Sequence, residues 1–238
     1  MLVKKILVLA VGVTVVGATV AMAGGPDRLM LTAPGFQQSL YLDAHLGYGQ
    51  SNWSGFNANG LIGQSGASNY TPTSNGNGAF AGGLDFGYTL TKNIAFEAGW
   101  FYLPTVNVEG TGNSIGGVTI PASATADVSS WMLYLAGKLS IPVMEHVDLY
   151  GKIGAGYRRM TYSDINTALS AFAGAGHYWA PVFAAGVDYT LSAWIFGFQY
   201  TYIPGDSEAN NGNAIYGAPD AAPDVNLYTA FVGYKFTI

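Results

Sequence analysis

The stretch YTAFVGYKFTI, residues 228–238, alternates without a break. Tyr228, Ala230, Val232, Tyr234, Phe236 and Ile238 share one face, while Thr229, Phe231, Gly233, Lys235 and Thr237 share the other. Period two over this length reads as a β-strand. Its apolar face is too continuous for a strand at a water-exposed sheet edge, where fraying and edge pairing follow. The same alternation recurs along the chain.

Seven further segments carry it: 39–50, 79–90, 94–103, 131–141, 147–158, 178–191 and 194–203. In the first, Leu40, Leu42, Ala44, Leu46 and Tyr48 oppose Tyr41, Asp43, His45, Gly47 and Gly49. In 94–103, Ile94, Phe96, Ala98, Trp100 and Tyr102 face away from Glu97; in 194–203, Trp194, Phe196, Phe198, Tyr200 and Tyr202 face away from Gln199. Segments of roughly ten residues span a bilayer when tilted. Short connections near 91–93, 142–146 and 191–193 alternate with long ones at 51–78, 104–126, 159–177 and 204–224, rich in Gly, Asn, Ser, Ala and Pro.

Composition narrows the choice. Of the 238 residues only 10% are charged, 50% are hydrophobic and 14% aromatic; soluble domains carry about 25% charge. Beyond the N-terminal region no segment reaches the ~18 apolar residues of a membrane helix. That region reads as a signal peptide over residues 1–23: Lys4 and Lys5, a fifteen-residue apolar core, ILVLAVGVTVVGATV, and a small-x-small site, Ala21–Ala23. A leader, 24–38, and a single barrel domain, 39–238, follow. The chain has no cysteine, which excludes a disulfide framework. Without Lys4 and Lys5, seven basic residues stand against fourteen acidic ones, a net charge of about −7. An acidic exported chain argues against nucleic-acid binding.

A period-two barrel can be soluble, with its apolar face inward, or membrane-bound with the polarity inverted. The apolar faces carry no charge at membrane depth, and the polar faces offer about one charge per strand among glycines and alanines. Aromatics cluster at strand ends, as an interfacial girdle requires. These observations predict an all-β fold: an eight-stranded, antiparallel, up-and-down transmembrane β-barrel. Lipid demands that every backbone group be paired, so the last strand must close on the first. The inward candidates are Asp43, Asp85, Glu97 and Asp188 against Lys138, Lys152, Arg158 and Lys235. Buried charges need partners, so an internal salt-bridge network filling the lumen, mostly in its short-turn half, is expected.

The signal peptide, LYLDAHLGYG at the first strand, GGLDFGYTL, YGKIGAGY and the closing FVGYKFTI together resemble the eight-stranded outer-membrane barrels of Gram-negative bacteria, the OmpA-like and porin-family group, over about residues 37–238. The resemblance implies short turns facing the periplasm, long loops at the cell surface, and a terminal strand read by the barrel-assembly machinery. That signal usually ends in Phe; here Ile238 is last and Phe236 stands two places earlier. Larger OmpA proteins add a peptidoglycan-binding domain, which is not expected here.

Catalysis finds little support. His45 is inward, within reach of Asp43 or Glu97, and reads as an internal hydrogen-bonding partner. His177 lies near Ser163, Ser170 and Asp164 without forming a recognisable acyl-transfer motif. His146 sits in a turn, and no metal-ligand spacing exists. The chain is therefore read as a non-enzymatic outer-membrane protein without cofactor, maintaining membrane integrity and contacting a host or surface ligand through its loops. A narrow pore for small solutes is the alternative, and a lipid-modifying enzyme the second. Expected partners are outer-membrane lipid and lipopolysaccharide, the latter bridged by divalent cations at an acidic rim that includes Glu109, Asp127, Asp164, Asp206, Glu208, Asp220 and Asp224.

Overall fold

A computed structural model describes residues 37–52, 71–75, 78–111, 124–163, 174–205 and 224–237. The signal peptide, most of the leader, much of the loop sequence and Ile238 lie outside the described residues.

Nine strands follow one another: β1 (Ser39–Asn52), β2 (Thr71–Asn75), β3 (Ala79–Thr89), β4 (Ile94–Thr111), β5 (Ala124–Met144), β6 (Val147–Ser163), β7 (Gly174–Leu191), β8 (Trp194–Ile203) and β9 (Asp224–Thr237). All except the short β2 form one antiparallel ring, β4-β3-β1-β9-β8-β7-β6-β5, which closes through a β4–β5 pairing. The opening stretch lies in β9, and it is not an edge. It pairs with β1 from Ser39↔Thr237 to Asn52↔Asp224 and with β8 from Trp194↔Tyr234 to Ile203↔Val225. Closure satisfies both edges of β9, the condition for a sheet in lipid.

Two departures from the expected layout concern the loops. β4 continues to Thr111 and pairs with β5 as far as Gly110↔Ala124; β6 and β7 pair as far as Tyr162↔Gly174. The loops expected at 104–126 and 159–177 therefore begin and end as strand. The expected 51–78 loop contains β2, which pairs with the outer part of β4, Thr71↔Thr111 to Asn75↔Val108. Small polar residues had masked these extensions, which form because neighbouring strands supply ladder partners above the membrane. The short connections are tight: Glu145–His146 and Ser192–Ala193 are two-residue turns, with His146 and Ser192 at positive φ. At Ser192–Ala193 the positive φ falls on the first turn residue, the pattern of a primed turn whose twist matches the strands it joins.

Side-chain direction follows the alternation. Leu46, Leu135 and Phe198 project outward and are more than 60% exposed on the isolated chain, whereas Asp43, Asp85, Glu97 and Arg158 project inward and are at most 2% exposed. Exposed leucine and phenylalanine around a full ring, enclosing buried carboxylates, is the polarity of a membrane barrel rather than a soluble one.

Candidate functional site

The lumen has two layers of different chemistry. On the short-turn side, the inward positions of β1, β3, β4, β5, β6 and β7 bring polar groups to one level. Lys152 on β6 donates to Asp85 on β3 at 3.1 Å and forms a close ion pair with Glu97 on β4. Lys138 on β5 reaches Asp188 on β7 at 3.2 Å and Glu97 at 3.7 Å. The Lys138 ammonium also sits 4.1 Å from the Tyr150 ring centre, where the face of the π-system attracts a cation. Glu97 is thus the hinge of the network, held by both lysines and by the Tyr41 hydroxyl, which donates to it at 2.5 Å.

Of the eight charges expected in the lumen, Asp85, Glu97, Lys138, Lys152 and Asp188 join in this cluster. Asp43 faces Asp85 across the β1–β3 ladder and is buried, yet it forms no ion pair among the described residues. Its Oδ1 lies so close to Gly233 that a Cβ there would meet it at 1.8 Å. Arg158 stands apart, one layer towards the loops, where it donates to the Tyr178 hydroxyl at 3.0 Å and to Ser130 Oγ at 3.4 Å. Lys235 lies half-exposed at the short-turn mouth, in a vestibule it shares with Lys92 and Asp148. The charge set that looks balanced in sequence is spread along the axis, because inward parity fixes the face and strand position fixes the height.

His45 points inward, but its partners are not the two carboxylates proposed. Its Nε2 lies 3.2 Å from Asp85 and its Nδ1 3.2 Å from Thr229, and the ring stacks on Phe231 at 4.8 Å. Tyr134, Tyr150 and Gln199 also belong to the lumen; Tyr150 donates to Gln199 at 3.0 Å. The inward parity of each strand marks these residues, although their uncharged side chains had not singled them out. Room for them comes from small residues on the facing wall. A Cβ at Gly99 would lie 2.2 Å from the Tyr134 ring and 2.3 Å from Asp85.

Towards the loops the lining changes. Phe101 and Leu103 on β4, Met132 on β5, Met160 on β6, Ile203 on β8 and Leu227 on β9 are fully buried and form one apolar cluster with Tyr178 and Val182 of β7. An eight-stranded barrel has an interior narrow enough for side chains such as these to fill.

His177 faces outward on β7, opposite Arg159 of β6 and 5.6 Å from the Tyr157 ring. Ser163 lies at the far end of β6, opposite Asp127; Ser170 and Asp164 lie outside the described residues. Among the described residues no cluster of three or more His, Asp or Glu side chains has metal-binding geometry.

A family model, the OmpA-like transmembrane domain, matches residues 36–237, nearly the whole barrel. The chain belongs to this family. It is a β-barrel of the bacterial outer membrane. Among curated relatives, outer membrane protein A of Serratia marcescens is 28% identical over 244 residues, covering 96% of this chain and 55% of that protein. The chain thus spans about half the length of that relative. Among solved structures, Neisserial surface protein A superposes with a TM-score of 0.50 at 12% identity, covering 84% of this chain and all of that one. The outer membrane protein OprG of Pseudomonas aeruginosa gives 0.50 at 16% identity, covering 86% and 99%. At these identities the likeness lies in the fold. The Serratia and Pseudomonas proteins are outer membrane proteins by name, and the Neisserial one is a surface protein.

Proposed function

We propose that this barrel is a sealed structural element of the outer membrane, serving membrane integrity and presenting its loop-side hairpins for adhesion or host contact. The observation that carries the reading is the filled lumen: an ion-paired layer lies below a fully buried apolar layer. A conducting pore needs a continuous aqueous path, and ion-paired and apolar side chains stacked across the lumen argue against one. Loss of charge in the lower layer leaves the upper seal in place. The assembly and membrane partners fit the same reading. β9 offers the barrel-assembly machinery a complete strand with Phe236 near its end, and the aromatic rows meet outer-membrane lipid and lipopolysaccharide.

The direct test is conductance in planar bilayers, for the wild type and Lys152→Ala. Both are expected to be silent. A sustained single-channel conductance from the wild type would support the narrow pore instead, and one that appears only in Lys152→Ala would make the charge layer a gate. The surface role is tested by deleting 55–69 and measuring cell adhesion, together with detergent sensitivity of cells lacking the protein. Unchanged adhesion and unchanged sensitivity would remove both parts of the proposal.

A further inference from the structure

Among the described residues Arg159 is the single Lys or Arg on the outward face of a barrel strand; the other strand cations, Lys138, Lys152, Arg158 and Lys235, have inward parity. It is exposed, and among the described residues no acid pairs with it. Its height is fixed by register. Tyr157 on β6 lies opposite Trp179 on β7, and the next outward row towards the loops is Trp131↔Arg159↔His177. On β7 the outward aromatic residues run from Tyr189, one row inside Leu191 at the short turn, to Trp179, ten positions from Tyr189. That is about 33 Å of strand, or about 25 Å of membrane at a tilt of roughly 40°, the height of the apolar band. Trp179 and Tyr157 therefore mark the upper edge of the hydrocarbon, and Arg159 and His177 lie one row above it, among the headgroups of the outer leaflet.

The rings around Arg159 form a patch rather than a scattered belt. Tyr157 contacts Trp131 at 5.9 Å, Trp179 at 5.5 Å and His177 at 5.6 Å between ring centres. A guanidinium recognises phosphate by bidentate hydrogen bonds, and flat aromatic faces pack against sugar rings. The protein is acidic overall, so this is local complementarity and not a general attraction to anionic lipid.

We infer that Trp131, Tyr157, Arg159, His177 and Trp179 form a binding site for the phosphorylated glucosamine headgroup of an outer-leaflet glycolipid, lipid A, with Arg159 on the phosphate and the rings on the sugar and proximal acyl chain. The site rests on the outer-membrane location and gives the lipid partner proposed above one defined contact. Conductance does not enter its readout, so a failure here and a failure of the sealed-barrel reading are distinguishable.

The test is native mass spectrometry of the folded barrel, released from micelles and titrated with bisphosphorylated lipid A, phosphate-free lipid A or phosphatidylglycerol. The wild type is expected to retain one lipid A selectively. Arg159→Glu lowers its affinity on the order of tenfold, as the loss of a charge-assisted contact implies. Lys92→Gln, at an exposed short-turn position, leaves it unchanged, and Arg159→Lys falls between. Gel mobility with and without boiling shows that each variant is folded. Wild-type affinity in Arg159→Glu overturns the site, as does equal retention of phosphatidylglycerol and lipid A. Should Arg159→Glu fail to fold, the wild type alone decides: equal affinity for the two forms of lipid A overturns the assignment.

Discussion

Lys152→Met tests the lumen network most directly, because the side chain is wholly enclosed and bridges two carboxylates, Asp85 and Glu97. Methionine keeps a similar volume and removes the charge, so packing changes little and electrostatics changes fully. Breaking a buried ion pair from one side costs about 3–5 kcal/mol, since the remaining charge stays desolvated. Here both carboxylates keep a second partner: His45 lies 3.2 Å from Asp85, and Lys138 lies 3.7 Å from Glu97. The lower end, about 3 kcal/mol, is therefore expected. With a urea slope of about 2 kcal/mol per molar, the unfolding midpoint falls by about 1.5 M. The assay is reversible urea unfolding in lipid vesicles, followed by tryptophan fluorescence and by gel mobility without boiling. The triple variant Lys152→Met, Asp85→Asn, Glu97→Gln removes the stranded charges and returns to within about 1 kcal/mol of the wild type. A Lys152→Met loss below about 0.5 kcal/mol, or a triple variant less stable than the single one, would refute the argument that desolvated carboxylates set the cost.

Asp43→Asn moves the other way: the carboxylate is buried without an ion pair among the described residues, so the neutral amide is expected to match or raise stability, by up to about 1 kcal/mol in the same urea assay. Gly99→Val drives methyl groups into Tyr134 and Asp85, and overpacking of about 1–3 kcal/mol lowers the unfolding midpoint accordingly; an unchanged midpoint would show that the facing wall is looser than described. Truncation after Ala230 removes half of the β1–β9 ladder and leaves two unpaired edges in lipid, so the heat-modifiable form is expected to vanish from refolding gels. Deleting 55–69 leaves every strand of the ring intact, and the barrel keeps its unboiled mobility, with stability within about 1 kcal/mol of the wild type as long loops contribute little.

Much of this protein was legible in the order of its residues. Alternation at period two placed Leu46, Leu135 and Phe198 outside and Asp85, Glu97 and Lys152 inside, because pleating sends successive side chains to opposite faces whatever the partner strand. Low charge and terminal aromatics gave the polarity, because lipid tolerates neither buried charge nor an open edge. Parity cannot give height. That Lys152 meets Asp85 and Glu97, that Asp43 is passed over, that Arg158 rises into another layer and that His45 turns to Asp85 all depend on stagger around a closed ring. The strand extensions of β4 to β7 were equally hidden, since Gly, Ser and Thr acquire strand geometry there from their ladder partners and not from their own pattern. YTAFVGYKFTI foretold a strand with lipid on one side; only closure against β1 showed where its Lys235 stands, at the mouth and outside the ion-paired layer. A face is a property of one strand and can be read from it, whereas a level in the barrel is a property of eight strands held in register.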